Sequence, residues 1–480
     1  MGIIPLKGRT LEVLSKDEVQ QVHLAVLDLL ENPGVKLEHD EALDLFQKAG
    51  ADVDRENKMV HIPPALVETA LNHAPRFITV CGKTPQHDLK SYKGVHYSSG
   101  HGATQVIDFE TGERRPATTK DLETNVIIHD ALENTHFIFP EIYPQDVPEK
   151  ALDRHISQAL LSNTVKPVIA TAYSGKGARD LIDMGIAIAG SEEALCKRPM
   201  FTVSLGMISP FVIEPQRVDV LMEMCRRKLP FQIYTIPSAG STSPVTLAGT
   251  LAVSAAELLA GLVLTQLVNP GAPVRLMGYA GTLDLRFGGF TFASPETTLM
   301  AGALAQILRF YGVPMGVHGA TTRANVLDAQ VGYETGMLNL FSALSGSDVV
   351  IECTSASIED TVASCPEQAV IGNEICSFIN RILKGIEVNP DTLAVDVIRE
   401  VGPGGEYLTH EHTMEYFNQE AWDSRLGNRM NRERWEENGS MDIRSKAREE
   451  VKRILATHKP APLDAEVQKK IQRIVDEAGA

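Results

Sequence analysis

The sequence predicts an α/β fold, a (β/α)₈ TIM barrel with helical N-terminal and C-terminal extensions. Three observations lead there. Short apolar, β-rich runs alternate with longer helical runs through the middle of the chain, in eight units. The chain has 480 residues, well beyond the ~250 of a bare barrel. The strand-like runs end repeatedly in Gly, Ser and aromatic residues, where such barrels build their sites. The expected division is 1–92 as an N-terminal extension, 93–393 as the catalytic barrel and 394–480 as a C-terminal extension.

In chain order, Ser15 to Glu31 reads as a helix, with Ser15 as N-cap and Leu24, Leu27 and Leu30 on an apolar stripe. Helices at Asp40–Ala49 and Pro64–Asn72 follow, then a β-type run at Phe77–Cys81. The first barrel strand is expected at Val95–Ser98, ending in Ser99-Gly-His-Gly102. A Thr-Gly turn inside Val106–Arg115 suggests a hairpin. A helix is expected from Thr119 to Glu133. Further strands are expected at Phe137–Ile142, Pro167–Thr171, Phe201–Leu205, Phe231–Ile236, Val274–Tyr279, Met315–His318 and Asp348–Cys353. The helices between them are Pro148–Ser162, Gly177–Ala189, Glu214–Arg227, Val245–Val268, Pro295–Tyr311 and Asp328–Leu344. Ile358–Leu383 is the last. Such alternation makes a parallel sheet with right-handed crossovers, and eight units favour closure. The tail carries two charged amphipathic helices, Asp442–Thr457 and Pro462–Ala478.

Composition narrows the function. A hydrophobic fraction of 43% and a charged fraction of 22% describe a chain that buries a core. A net charge of −17 repels phosphates, so a nucleic-acid partner is not expected. Six cysteines without a CxxC pair read as reduced thiols in a cytoplasmic protein. The N-terminus has no apolar region behind a basic start, so no signal peptide is expected. Leu247–Val268, interrupted by Glu257, reads as a buried helix rather than a membrane span.

The strand ends hold the chemistry. Tyr97, Tyr143, Tyr173, Tyr234 and Tyr279 stand there, with Phe211, His318 and Arg323 nearby. Several π faces around one volume attract an onium ion, by ~0.5–2 kcal/mol per well-placed ring. Each tyrosine taken singly is more often a packing residue than a cage wall. No HExxH, GxSxG or phosphate-loop motif is present. Glu141, Glu352 and Asp284 are the acids nearest the mouth, each either a general base or part of a salt bridge. His410 and His412 have too short a spacing to define a metal site, and no metal is expected on this chain.

Three stretches carry a family resemblance: GVHYSSGHGATQVIDFETGERRPATTKDL near residue 100, ANVLDAQVGYETGM near 330 and VGPGGEYLTHEHT near 407. They resemble the trimethylamine:corrinoid methyltransferase family, in the branch without pyrrolysine that includes glycine betaine:corrinoid methyltransferases. The resemblance covers nearly the whole chain. It implies a barrel that moves a methyl group from a quaternary amine to a Co(I) corrinoid (cobalamin) carried by a cognate corrinoid protein. The segment that holds pyrrolysine in trimethylamine members is here Ala320 to Gln330, all standard residues, with Asn325 the expected equivalent position. That departure favours a quaternary amine, glycine betaine first, with proline betaine, carnitine and γ-butyrobetaine as alternatives. A betaine carboxylate would need donors such as Arg323, His318 or backbone N–H groups. A homo-oligomer is expected. The competing classes are a metal-dependent barrel lyase or hydrolase, and a non-catalytic betaine-binding protein.

Overall fold

The computed structural model describes residues 11–91, 94–100, 102–319 and 321–479. The expected boundary between residues 92 and 93, His101 of the first strand-end motif and Ala320 lie outside the described residues.

Eight parallel strands close a barrel. Seven form one sheet: β1 (His96–Tyr97), β3 (Val168–Ala170), β4 (Phe201–Gly206), β5 (Phe231–Thr235), β6 (Val274–Gly278), β7 (Met315–His318) and β8 (Val349–Ile351). Their order around the wall is β1, β8, β7, β6, β5, β4, β3. Residues 137 and 138 supply β2 and close the ring, through parallel bridges Ser98 to Phe137 and Ile138 to Val168. Each strand is followed by a helix: α1 (Thr119–Ala131), α2 (Leu152–Asn163), α3 (Gly175–Ala189), α4 (Pro215–Arg226), α5 (Leu247–Val268), α6 (Pro295–Tyr311), α7 (Ala329–Leu344) and α8 (Pro366–Lys384). In α1 this helix belongs to the unit begun by β1, ahead of β2.

Local chemistry sets the helix starts. Thr118 and Asp121 form a capping box at α1, which starts at the expected Thr119. Ser174 and Ser294 cap α3 and α6. Proline opens α4, α6 and α8, where its missing N–H costs nothing. The last helix departs from expectation. It begins at Pro366, not Ile358, because Glu359, Asp360 and Thr361 all take left-handed backbone that no α-helix contains. Those residues instead turn a hairpin, Ser357–Ile358 against Ala363–Ser364. The hairpin continues onto Gln105–Ile107 and Arg114–Pro116 as a four-stranded sheet beside the mouth. The expected hairpin in Val106–Arg115 is therefore present, in that sheet.

Alternation along each strand divides inside from outside. Gln232, Arg275 and Phe137 fill the lower barrel, with the Arg275 guanidinium 5.3 Å from the Phe137 ring centroid. Ile169, Met277, Val349 and Ile351 lie in the same inner cluster, which ends in Tyr234, Tyr279 and Phe292. Val80 and Leu89, on paired short strands Thr79–Val80 and Leu89–Lys90, belong to it too and close the floor.

The N-terminal extension covers α5. Helices Lys16–Glu31, Asp40–Lys48 and Pro64–His73 all contact it, and so α5 is apolar around its whole circumference. Strand Val35–Leu37 also pairs in parallel with Val212–Ile213, on the loop after β4. The N-terminal layer thus holds one rim of the mouth. At the other end of the chain, Ile443–Thr457 lies on α8 and α1, and Ala465–Gly479 on α2 and α3.

Candidate active site

Four of the five strand-end tyrosines converge on the C-terminal mouth. Tyr234 ends β5 and Tyr279 follows β6, with ring centroids 5.8 Å apart. Tyr279 stands 5.3 Å from the His318 ring, and Phe292 stacks on His318 at 4.7 Å. Tyr143 and Tyr173 come from the loops after β2 and β3, and their hydroxyls are hydrogen-bonded to each other. Burial raises the pKa of all four phenols. They stay protonated at physiological pH and present neutral π faces.

Glycines make room for these rings. A Cβ on Gly206 would lie 2.8 Å from the Tyr234 ring, and one on Gly281 would run into Phe290. Phe290 in turn packs edge-on to Phe292 at 4.5 Å. The glycine beside the aromatic in these loops is a spatial requirement.

Beneath the rings lies a buried ionisable pair. His318 Nε2 is 2.9 Å from Glu352 Oε2, with both side chains essentially inaccessible. Glu352 sits in left-handed backbone with φ 71°, and its N–H donates to Ser98 Oγ. That turn swings Glu352 off the inward–outward alternation of β8 and aims it at His318. His318 Nδ1 is buried with no hydrogen-bond partner, a polar atom left to meet a ligand.

A second carboxylate anchors the rim. Glu257 of α5 accepts from Ser209 Oγ, from the Thr235 hydroxyl and from the N–H of Phe211. Burial raises its pKa, against the pull of those three donors. Phe211 is half-buried on this loop, in left-handed backbone. Arg323 lies outside the tyrosine group, in a groove of about 820 Å³ beside the mouth. It pairs with Asp360 at 3.2 Å, while its backbone N–H donates to Glu334. Burial, offset in part by Arg323, raises Asp360 to about 6.

Two expected residues lie elsewhere. Tyr97 points outward from β1 into the layer between barrel and helices, where its hydroxyl donates to Asn380 at 3.0 Å. Alternation explains it: His96 takes the inward position of this two-residue strand, so Tyr97 must face out. Asn325 is exposed on the loop before α7, whereas the rings are buried or half-buried. Of the three candidate acids, only Glu352 reaches the site centre. Glu141 is fully buried against His129, and Asp284 pairs with Arg286 in a surface hairpin. Among the described residues, no group of three or more His, Cys, Asp or Glu could hold a metal ion. Phe292 and Glu257 carry no motif. Only the pairing of the loop after β6 and the position of Glu257 midway along α5 give them a place.

A closed eight-stranded barrel with its polar and aromatic groups gathered at the C-terminal mouth defines a TIM-barrel enzyme. The chain belongs to the trimethylamine methyltransferase family: residues 3–478 match the family described as Trimethylamine methyltransferase (MTTB). It is 30% identical to trimethylamine methyltransferase MttB of Desulfitobacterium hafniense, over 99% of this chain and 96% of that protein. It is 29% identical to a glycine betaine methyltransferase of another strain of that species, over 97% of each chain. The fold is also that of the Methanosarcina barkeri monomethylamine methyltransferase MtmB, with a TM-score of 0.53, 13% identity and coverage of 98% of this chain and 89% of that one. The resemblance read from the three motifs is thereby borne out, and the chain is a methyltransferase.

Proposed function

We propose that this enzyme moves a methyl group from a quaternary amine, with glycine betaine the favoured donor, to the corrinoid of a separate corrinoid protein. The observation that carries this reading is the convergence of Tyr143, Tyr173, Tyr234 and Tyr279 around one volume, with the Glu352–His318 pair beneath. Neutral π faces over a buried carboxylate favour a cation that has no proton to give. The name of the glycine betaine methyltransferase relative supports the same donor class.

A Co(I) corrinoid supplies the nucleophile for such a transfer. The leaving group is a neutral tertiary amine, so the chain needs no general acid. Its residues have three tasks. The tyrosine rings hold the ammonium and turn one N-methyl toward the mouth. Phe292 and the surrounding rings exclude water from the carbon under attack. His318 Nδ1, buried and without a partner, is available for a polar group of the substrate.

The mouth also fits a protein partner. Exposed apolar side chains ring it on five successive loops: Ile208, Val245, Leu285 with Phe287, Val326 and Val362. An apolar rim around a polar cavity is the composition of a docking face.

The test is demethylation with free cob(I)alamin under strict reduction, followed by the absorbance of methylcobalamin. Glycine betaine, proline betaine, carnitine and γ-butyrobetaine form the panel, with trimethylamine as the tertiary control. Turnover of a betaine and not of trimethylamine is expected. Failure of all four betaines would remove the proposal.

A further inference from the structure

Between α8 and the C-terminal helices the chain makes an excursion that its own barrel does not cover. Residues 386–420 contain three helices, Pro390–Leu393, Val395–Val401 and Glu411–Glu420, and none of them has a buried residue. Yet they are not polar. Ile386 is 83% exposed, Leu408 79% and Met414 75%, with Ile398 and Phe417 exposed as well. Val397, Val401 and Tyr416 are half-buried, but helices that leave this much apolar side chain in water lack a partner for it.

The same chain carries a matching receptor. A groove of about 500 Å³ runs between α7 and α8, lined by Tyr333, Met337 and Leu340 on one side and Phe378 on the other. Trp422 stacks edge-on to Phe378 at 5.2 Å, and the Arg429 guanidinium lies over Trp422 at 5.4 Å. Charge matches too. Residues 386–420 hold eight carboxylates against one arginine. The strip that edges the groove, residues 421–434, holds four arginines, of which Arg425 pairs with Glu133 and Arg432 with Glu436, leaving Arg429 and Arg434 toward an acidic arm.

We propose that residues 386–420 are an exchange arm that seats its apolar side chains in the α7–α8 groove of a second copy of this chain. The arm exposes on the order of 1,000 Å² of apolar side chain, above the ~800 Å² that each partner contributes to a standard interface. Its acidic groups meet the arginine strip at the rim, which sets register. The arm is rooted at Gly385, after α8 has run back from the mouth. A second copy seated there leaves the apolar ring at the mouth free. The exchange is independent of which amine the barrel takes.

Sedimentation velocity of the full-length protein tests it, at micromolar concentration. The wild type is expected as an oligomer. Met414→Asp with Phe417→Asp on the arm, and separately Met337→Asp with Phe378→Asp in the groove, are each expected to sediment as monomers with unchanged far-ultraviolet circular dichroism. All four side chains are exposed in the single chain, so the changes spare its core. A monomeric wild type would overturn the proposal. So would an arm variant that keeps the wild-type mass. Loss of the oligomer in the arm variant but not in the groove variant would send the arm to another face, and would overturn it equally.

Discussion

At the scale of single residues, the tyrosines differ in what they can lose. Tyr279 is buried and touches both Tyr234 and His318. Tyr279→Phe keeps the π face, and kcat/KM for the betaine is expected to stay within a few-fold of wild type. Tyr279→Ala removes the face and opens a void, with an expected loss of about ten-fold or more in steady-state demethylation. Equal losses in the two variants would deny the ring its role. Asp360 makes a prediction in pH. Its ordinary value of 3.8 rises to about 6 in the fold. Between those values the unfolded chain releases this proton and the folded chain holds it, so the folded state loses stability as pH rises. Below that window and above it the contribution is flat. Asp360→Asn removes the penalty, so its stability relative to wild type should grow from pH 4 to pH 6 and then level off. The gain has a ceiling of about 3 kcal/mol. A difference curve flat across that window, from denaturant unfolding, would contradict it.

At the scale of elements, periodicity made the barrel readable and also set its limits. Seven strands and most helix starts follow from apolar runs and from caps such as Ser174 and Ser294. A strand-end motif says nothing about parity, so Tyr97 is expected at the mouth yet faces outward; only the inward turn of His96 decides it. The expected start of the last helix at Ile358 rests on the i, i+4 apolar spacing of Ile358 and Val362, whereas the left-handed turn between them depends on contacts with the loop after β7. Asp360 donates its N–H to the Thr322 carbonyl there, and no local signal marks that bond. The proximity of Glu352 to His318 was equally hidden, since it needs a positive φ at a non-glycine residue. The glycine–aromatic pairs were visible as composition, and the structure gives them a geometry. Gly206→Ala should push Tyr234 out of place, because the new Cβ falls at 2.8 Å from its ring. The expected result is a marked rise in KM with little change in Tm. An unchanged KM would mean that the Tyr234 ring yields without effect on the site.

At the scale of the whole molecule, two apolar surfaces divide the labour. By the two proposals, the ring at the mouth is assigned to a partner that brings the reactive group, and the arm to a copy of the chain. Phe287→Ser with Leu285→Ser should slow methyl transfer to a corrinoid protein several-fold. The rate with free cob(I)alamin should remain, because neither side chain lies in the tyrosine group and both are exposed. Equal loss with both acceptors would place these residues in the chemistry instead of in docking.

The floor of the barrel has a kinetic consequence. Val80 and Leu89 stopper the lower end, and Phe137, Met277 and Arg275 fill the column above them. Among the described residues the barrel below the tyrosine site is thus filled, not open at its far end. Under the proposed function, an acceptor docked over the mouth covers the approach to that site. The amine is then expected to bind before its acceptor, and excess acceptor to inhibit by covering empty enzyme.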